Sequence, residues 1–224
     1  GVPLSLFNFN QKDTFGVLEV GMDKKGEIDY LSNIIKPDVG VITNVSYAHI
    51  KNFKNISEIA AAKGEIINNI KDNGSIVLNA DDKFYNFHKF LALKKGLKVY
   101  NFSYNKKNTT VNLKKIFKQK NKYKIVLQVN NFEKYFYIRK NFNNFLYNLL
   151  ACITVMQIYL DVSKLNKNEF YNFQSTKGRG DISKLKINKK NIFFIDESNN
   201  SNPLSLNSAL ENFNKIEIEK NRKH

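Results

Sequence analysis

The sequence predicts an α/β protein whose mostly parallel, doubly wound sheet has helices on both faces and an antiparallel β addition. Short apolar strands alternate with helices over residues 14–102, a pattern typical of parallel sheets covered on both faces. Extended segments without intervening helices then occupy residues 109–139, which favours antiparallel pairing. A further strand and helix after residue 190 indicate the start of a second α/β domain.

The first half of the chain supplies the elements of the parallel sheet. Each predicted strand is a short run rich in Val, Ile and Leu, and the four runs are Thr14–Val20, Val39–Thr43, Ser75–Leu78 and Leu97–Phe102. The helices between them are predicted at Gly26–Lys36, Asn55–Ile70 and Lys83–Lys94. The first helix ends before Pro37, because a residue that precedes proline disfavours the helical conformation.

The second half begins with the antiparallel addition. Its clearest strands are Tyr123–Val129 and Tyr135–Ile138, with turn-like Asn and Lys residues between the extended segments. A long apolar helix is predicted at Asn143–Leu160. A strand at Asn191–Asp196 and a helix at Pro203–Phe213 follow, with a proline near the first helical turn, where it is tolerated.

A domain boundary is expected between the long helix and the last strand. The Gly-Arg-Gly at residues 178–180 is the hinge-like part of this stretch. We therefore expect a first domain over residues 1–174 and a second over residues 175–224. Because the chain opens with Gly-Val-Pro and ends in a charged segment, we expect it to be a fragment, incomplete at both ends.

The composition indicates a globular protein and argues against membrane-spanning and nucleic-acid-binding classes. A hydrophobic fraction of 42% is globular, and one cysteine in the chain is typical of a reducing compartment such as the cytoplasm. The longest apolar run is too short and too polar to span a bilayer. The net charge of +16 would suit a nucleic-acid partner, but the lysines are scattered and no nucleic-acid motif accompanies them. We expect neither nucleic-acid binding nor membrane insertion.

Polar residues follow the predicted strands. The first strand ends at Glu19, the second leads through Ile-Thr-Asn-Val-Ser-Tyr-Ala to His49, the third ends in residues 79–82, and the late strand ends at Asp196. Ligands of open α/β sheets bind outside the carboxyl ends of the strands. A carboxylate enclosed by apolar residues, as Glu19 is in the sequence, is costly unless paired or metal-bound. These residues predict a cation-binding cleft.

Some of these residues keep a second interpretation. His49 is also compatible with a surface histidine without a ligand. Asp81 and Asp82 fit a solvated turn as well as a ligand site. His88 lies inside a predicted helix and not among the candidate ligand residues at the strand ends. We therefore interpret it as structural.

Lys63 interrupts an apolar helical stripe. The stripe consists of residues at helical spacing: Ile56, Ile59, Ala60, Ile66, Ile67 and Ile70. A lysine in such a stripe either extends its stem to solvent or lowers its pKa until the amine is neutral. A neutral amine is a nucleophile able to react with carbon dioxide, and the product is a carbamate that can hold a cation. Periodicity leaves both interpretations open.

Seven segments together resemble the Mur ligases, the ATP-dependent amide-forming ligases of peptidoglycan synthesis. In chain order they are GVPLSL at 1–6, LEVGMDKKGEI at 18–28, PDVGVITNVSYAH at 37–49, AAAKGEI at 60–66, VLNADD at 77–82, KGRG at 177–180 and IDESNNSNP at 195–203. Each segment is weak evidence alone, whereas seven in the family order are specific. The resemblance covers nearly the whole chain.

The resemblance implies a role for each matching residue. Glu19 and His49 match magnesium ligands, and Lys63 matches the lysine whose carbamate helps to place a second magnesium ion. Catalytic roles fall on Lys63, His49 and Arg179, the last through the ATP phosphates. Nucleotide contacts are implied for the residues that match the remaining motifs: Asn79, Asp82, Asn148, Arg179, Asp196, Asn200 and Asn202.

The implied reaction joins D-alanyl-D-alanine to UDP-N-acetylmuramoyl-tripeptide through an acyl phosphate, with ATP and Mg²⁺ as cofactors. The family's glycine-rich phosphate loop would precede Gly1, so we expect this chain alone to be inactive. We expect the complete protein to act as a monomer. The chain also departs from the family at Asn144, where a histidine is usual, and at Asn199, where a tyrosine is usual.

Two other function classes remain open from the sequence. A related ligase of the folylpolyglutamate or cyanophycin synthetase type would use the same cleft on another acid. A non-enzymatic basic binding module would account for the charge but not for the ordered motifs.

Overall fold

The computed structural model describes residues 1–46, 52–120, 122–139, 143–173, 178, 181–187, 190–196, 198 and 203–214. Its strands are β1 (Val39–Ile42), β2 (Ser75–Asn79), β3 (Lys98–Ser103), β4 (Val111–Gln119), β5 (Lys122–Val129), β6 (Phe132–Ile138), β7 (Asp181–Ile187) and β8 (Lys190–Asp196). Its α-helices are α1 (Val2–Phe7), α2 (Glu27–Ile35), α3 (Ile56–Gly64), α4 (Ile66–Asn69), α5 (Tyr85–Lys94), α6 (Asn143–Tyr159) and α7 (Pro203–Asn214).

A six-stranded sheet in the order β1-β2-β3-β4-β5-β6 forms the centre of the fold. The pairs from β1 to β4 are parallel, and those from β4 to β6 are antiparallel. This confirms the predicted parallel sheet with an antiparallel addition. Strands β7 and β8 form a separate antiparallel pair.

Strand β2 is covered on both faces. All five of its residues are buried, as expected for a central parallel strand. Val77 packs into a cluster with residues of α6, whereas Ile76 and Leu78 pack on the opposite face with residues of α4 and α5. Because successive side chains of a strand point to opposite faces, this alternation confirms the doubly wound arrangement.

The antiparallel hairpins extend one of these two cores. Ile125, Leu127 and Phe136 are fully buried and pack with Leu146 and Leu149 of α6. Their alternation with exposed or half-buried residues on the other face is typical of a sheet with one buried side. The long apolar helix therefore covers both the parallel and the antiparallel parts of the sheet.

The predicted strand Thr14–Val20 is wrong. Residues 15–20 have no regular secondary structure, and Val17 and Phe15 are exposed to 92% and 62%. A β-prone run forms a strand only where a neighbouring strand supplies its hydrogen bonds. In the described part of the chain β1 pairs with β2 alone. Only Val20, at the end of the run, packs into a core cluster, which contains Met22 of the following loop.

The predicted helix Asn55–Ile70 is divided at Glu65 into α3 and α4. The amide of Glu65 donates to the carbonyl of Ala62 at 3.2 Å, three residues back instead of four, so the last turn is tightened. Gly64, the poorest helix former of the stretch, lies at this point.

The other predicted helices and parallel strands agree with the structure to within two residues at each end. Helix α1 and strand β7 were not predicted. Among the described residues, no helix is long and apolar enough to cross a bilayer.

Candidate active site

The carboxyl ends of β1 and β2 are joined by two side chains, one from the last residue of β2 and one from the loop that follows it. The Asn79 side-chain amide donates to the Thr43 carbonyl at 3.0 Å. The Asp82 carboxylate accepts from the Val45 amide at 2.7 Å and from the Phe84 amide at 2.8 Å. These bonds hold both strand-end loops at one edge of the sheet, where ligands of this architecture bind.

Asp81 faces the opposite side of the same loop. Its carboxylate accepts hydrogen bonds from the Ser103 hydroxyl at 2.7 Å, the Tyr104 amide at 2.7 Å, the Asn105 amide at 3.2 Å and the Tyr147 hydroxyl at 3.2 Å. Burial and then the Asp81 charge raise the pKa of Tyr147 to about 12. The two adjacent aspartates therefore lie in a turn in which both are half-buried and hydrogen-bonded, and this leaves the interpretation as a ligand site open.

The amine of Lys63 lies at this edge of the sheet. Burial lowers its pKa below the ordinary value of 10.5, while the carboxylates of Asp82 and Glu19 act in the opposite direction. Burial prevails, because removing an ammonium group from water is costly. Of the two interpretations left open by the helical stripe, the structure favours the partly desolvated amine.

Glu19 reaches this site from the segment before α2. It is exposed, so the expectation of a buried carboxylate at the end of a strand is wrong, for the reason given for residues 14–20. Its charge nevertheless acts on Lys63. The structure thus brings together four of the predicted residues, and these are Glu19, Lys63, Asn79 and Asp82.

Glu65, two residues after Lys63, connects the lysine helix to the loop after Glu19. Its carboxylate accepts from the Gly26 amide at 2.8 and 3.1 Å and from the Asp29 amide at 3.2 Å. Gly26 is the N-cap of α2 at a φ of 89°, a left-handed conformation that glycine adopts without strain. Since glycine has no capping side chain, Glu65 supplies the acceptor for this helix N-terminus.

Sequence reasoning missed this role of Glu65. Its partners are more than thirty residues away in the chain, and periodicity carries no information on such pairs.

His88 is buried at 2% exposure on α5. Its Nε2 lies 2.9 Å from the Ala60 carbonyl of α3, and burial lowers its pKa, so the imidazole is held in its neutral form. This agrees with the structural interpretation of His88.

The remaining predicted residues are less fully described. His49, Arg179, Asn200 and Asn202 lie outside the described residues, as does Asn199. Asn148 is exposed on α6, one residue after Tyr147. Asp196 ends β8. Hydrogen bonds from the Ser198 hydroxyl and then from the Ser198 amide, the latter at 3.0 Å, lower its pKa.

The site offers oxygen donors of the type that magnesium prefers, namely carboxylates. In the described part of the chain, no group of three or more His, Cys, Asp or Glu residues is arranged to hold a metal ion. Among the described residues, Glu19 is the predicted magnesium ligand that offers a carboxylate, and it would need a further anionic group. A carbamate on Lys63 would supply this anionic group at the same edge of the sheet. The residues present therefore fit a magnesium ion if Lys63 carries a carbamate.

A comparison with protein families supports the ligase resemblance. Residues 1–156 match the model of the Mur ligase middle domain. The chain therefore belongs to the Mur ligase family. It is 29% identical over 213 residues to the UDP-N-acetylmuramoyl-tripeptide–D-alanyl-D-alanine ligase of Rickettsia prowazekii, a match that covers 94% of this chain and 46% of that protein. The chain thus spans about half the length of this curated relative.

Solved structures share the fold. A crystal structure of MurF from Acinetobacter baumannii superposes with a TM-score of 0.84 at 24% identity, over 96% of this chain and 46% of that one. MurF ligase from Thermotoga maritima in complex with ADP gives a TM-score of 0.77 at 22% identity, over 95% and 47%. At these identities the likeness establishes the fold alone, in agreement with the architecture predicted from the sequence.

Replacement of Lys63 by methionine should change how stability depends on pH. Below its lowered folded pKa, the wild type buries a protonated amine at a cost that methionine does not have, so K63M should have the higher free energy of unfolding at pH 7. As pH rises towards 10.5, the unfolded chain still binds the proton that the folded protein has lost, so wild-type stability rises and the difference shrinks. Urea unfolding at several pH values measures this.

Lys94→Met is the control, because Lys94 is an exposed lysine on α5. Its unfolding free energy should follow the wild type at every pH. Parallel pH profiles for K63M and the wild type would contradict the buried amine.

Replacement of Glu65 by glutamine should weaken the connection between α3 and α2. The substitution keeps the size of the side chain but removes the charge that accepts from two backbone amides, so we expect a loss of about 1–2 kcal/mol in the free energy of unfolding. Denaturant unfolding measures it, with Glu169→Gln, an exposed glutamate, as control. Equal stability of the two variants would show that Glu65 does not cap α2.

Proposed function

We propose that this chain is the nucleotide-binding part of a ligase that adds D-alanyl-D-alanine to UDP-N-acetylmuramoyl-tripeptide with hydrolysis of ATP. The observation that supports the proposal is the partly desolvated Lys63 amine at the carboxyl edge of the sheet, on which the charges of Asp82 and Glu19 both act. Identity to the R. prowazekii ligase over 94% of the chain supports the choice of substrates.

The proposed domain division places residues 1–174 in the middle domain and residues 175–224 in a second, C-terminal domain. The family model ends at residue 156, and β7 and β8 pair with each other in a sheet of their own. Both observations support a boundary after α6.

The proposed reaction begins with transfer of the γ-phosphoryl group of ATP to the terminal carboxylate of the tripeptide. The products of this step are an acyl phosphate and ADP. The neutral amine of D-alanyl-D-alanine then attacks the acyl carbon and forms the C–N bond of the amide. The bond between the acyl carbon and the phosphate oxygen breaks, its electron pair leaves with phosphate, and phosphate takes the proton that the nitrogen loses. Since the reactants carry like charges, positioning and charge neutralisation supply most of the rate.

Magnesium, when bound, would neutralise the phosphate charges. Glu19, His49 and Lys63 are the residues proposed to hold it, the last as a carbamate. The unprotonated Nζ of Lys63 attacks carbon dioxide, an N–C bond forms and one proton is released to water. Burial favours this chemistry because it raises the fraction of neutral amine.

The proposed nucleotide contacts divide into two kinds. Asn79 and Asp82 are already bonded to Thr43, Val45 and Phe84, so they act by shaping the loops against the nucleotide. Direct contacts are proposed for the other residues that match the family's nucleotide motifs: Asn148, Arg179, Asp196, Asn200 and Asn202. Arg179 would balance charge on the migrating phosphoryl group.

The proposed setting is cytoplasmic, where ATP and the nucleotide-linked substrate are available, and the enzyme is proposed to act as a monomer. A ligase of the folylpolyglutamate or cyanophycin type is the alternative within the same chemistry. Turnover with UDP-N-acetylmuramoyl-tripeptide and none with folate would favour the proposal. A basic binding module would instead bind DNA in a salt-sensitive manner without responding to nucleotide or magnesium.

Replacement of Lys63 by alanine in the full-length protein should abolish ligation, because the anionic group at the sheet edge is lost. Short carboxylic acids should restore part of the activity, since they place a carboxylate where the carbamate would stand. Phosphate release in the presence of both substrates measures the reaction. Lys94→Ala should retain wild-type activity, and undiminished activity of K63A would remove Lys63 from the mechanism.

A further inference from the structure

We propose that His88 is a positioning residue for Lys63, acting through a hydrogen bond to the backbone of the lysine helix. The inference rests on the proposed function, in which the Lys63 side chain carries the anionic group of the site. His88 itself touches no reacting atom in this proposal. Its role is to fix where α3 presents the lysine.

The hydrogen bond has one possible polarity. His88 Nε2 lies 2.9 Å from the Ala60 carbonyl oxygen, and a carbonyl can only accept, so Nε2 carries the proton and donates. The pair is buried, where an unpaired polar group would be costly. Ala60 precedes Lys63 by three residues, which places the anchor one turn before the lysine on the same helix.

A close packing contact secures the other side of Lys63. A Cβ built on Gly64 would lie 3.3 Å from His88 Cδ2 and 3.4 Å from Leu91 Cδ1. The first distance is tighter than ordinary side-chain contacts, so the imidazole ring lies against the bare backbone of Gly64. One ring therefore contacts the helix both one turn before Lys63 and immediately after it.

Helix α5, which carries His88, is also fixed to the carboxylate side of the site. The Asp82 carboxylate accepts from the Phe84 amide just before α5 begins and from the Val45 amide of the loop after β1. His88 thus connects α3, which carries Lys63, to α5, whose N-terminal end is bonded to the Asp82 carboxylate. The separation between the amine and this carboxylate depends on that connection.

The competing explanation is that His88 only fills volume between α3 and α5. The two explanations predict that different side chains can replace the imidazole without loss of function. A packing role needs a side chain of similar size, whereas a positioning role needs an N–H donor at the reach of Nε2. Glutamine has an amide nitrogen at that reach, asparagine has one nearer the backbone, and leucine has none.

The test compares His88→Gln, His88→Asn and His88→Leu in the full-length protein. We expect kcat for ligation to fall about 10–100-fold in H88L and H88N, as is typical when a residue that orients a metal-site group is lost. The KM values for ATP and D-alanyl-D-alanine should change by less than about threefold, because neither substrate contacts His88. H88Q should stay within about threefold of the wild-type kcat.

A second measurement is independent of ligase activity. Amide hydrogen exchange over residues 56–65 should be faster in H88L and H88N than in H88Q and the wild type, because the Ala60 anchor is lost. If the wild-type protein has no ligase activity, the proposed function fails, and this exchange pattern still decides the role of His88. The positioning role is overturned if H88L and H88N match H88Q in both kcat and exchange, or if all three variants lose kcat equally.

Discussion

The partial desolvation of the Lys63 amine is the constraint on which the rest of the site depends. Lys63 is carried by a helix whose other inward residues are apolar, and burial outweighs the two carboxylates that would keep it protonated. A lysine in that situation is a nucleophile at the pH of the cell to a degree that an exposed lysine is not. The contacts around α3 hold this amine at the edge of the sheet.

Three connections converge on the short segment around Lys63. Glu65 joins it to the N-terminus of α2, His88 joins it to α5, and Ile59 and Ala62 pack it against the loop that contains Met22.

Much of the fold followed from the sequence, because alternating apolar strands and helices are a local signal. The edge of the sheet that carries the site was also predictable, since the polar residues directly follow strands. The failures share one physical cause. Thr14–Val20 has the composition of a strand, yet strand formation requires a partner that no local pattern reveals. Glu65 is bonded to residues 36 or more positions away, so its role depends on tertiary packing.

The central claim is that the buried Lys63 amine is neutral often enough to be carboxylated by carbon dioxide. The most direct measurement is a ¹³C NMR spectrum of the full-length protein in ¹³C-bicarbonate at slightly alkaline pH. We expect a carbamate resonance in the wild type and in Lys94→Arg that is absent from Lys63→Arg. A spectrum without a carbamate signal, or a signal that persists in Lys63→Arg, would contradict the account.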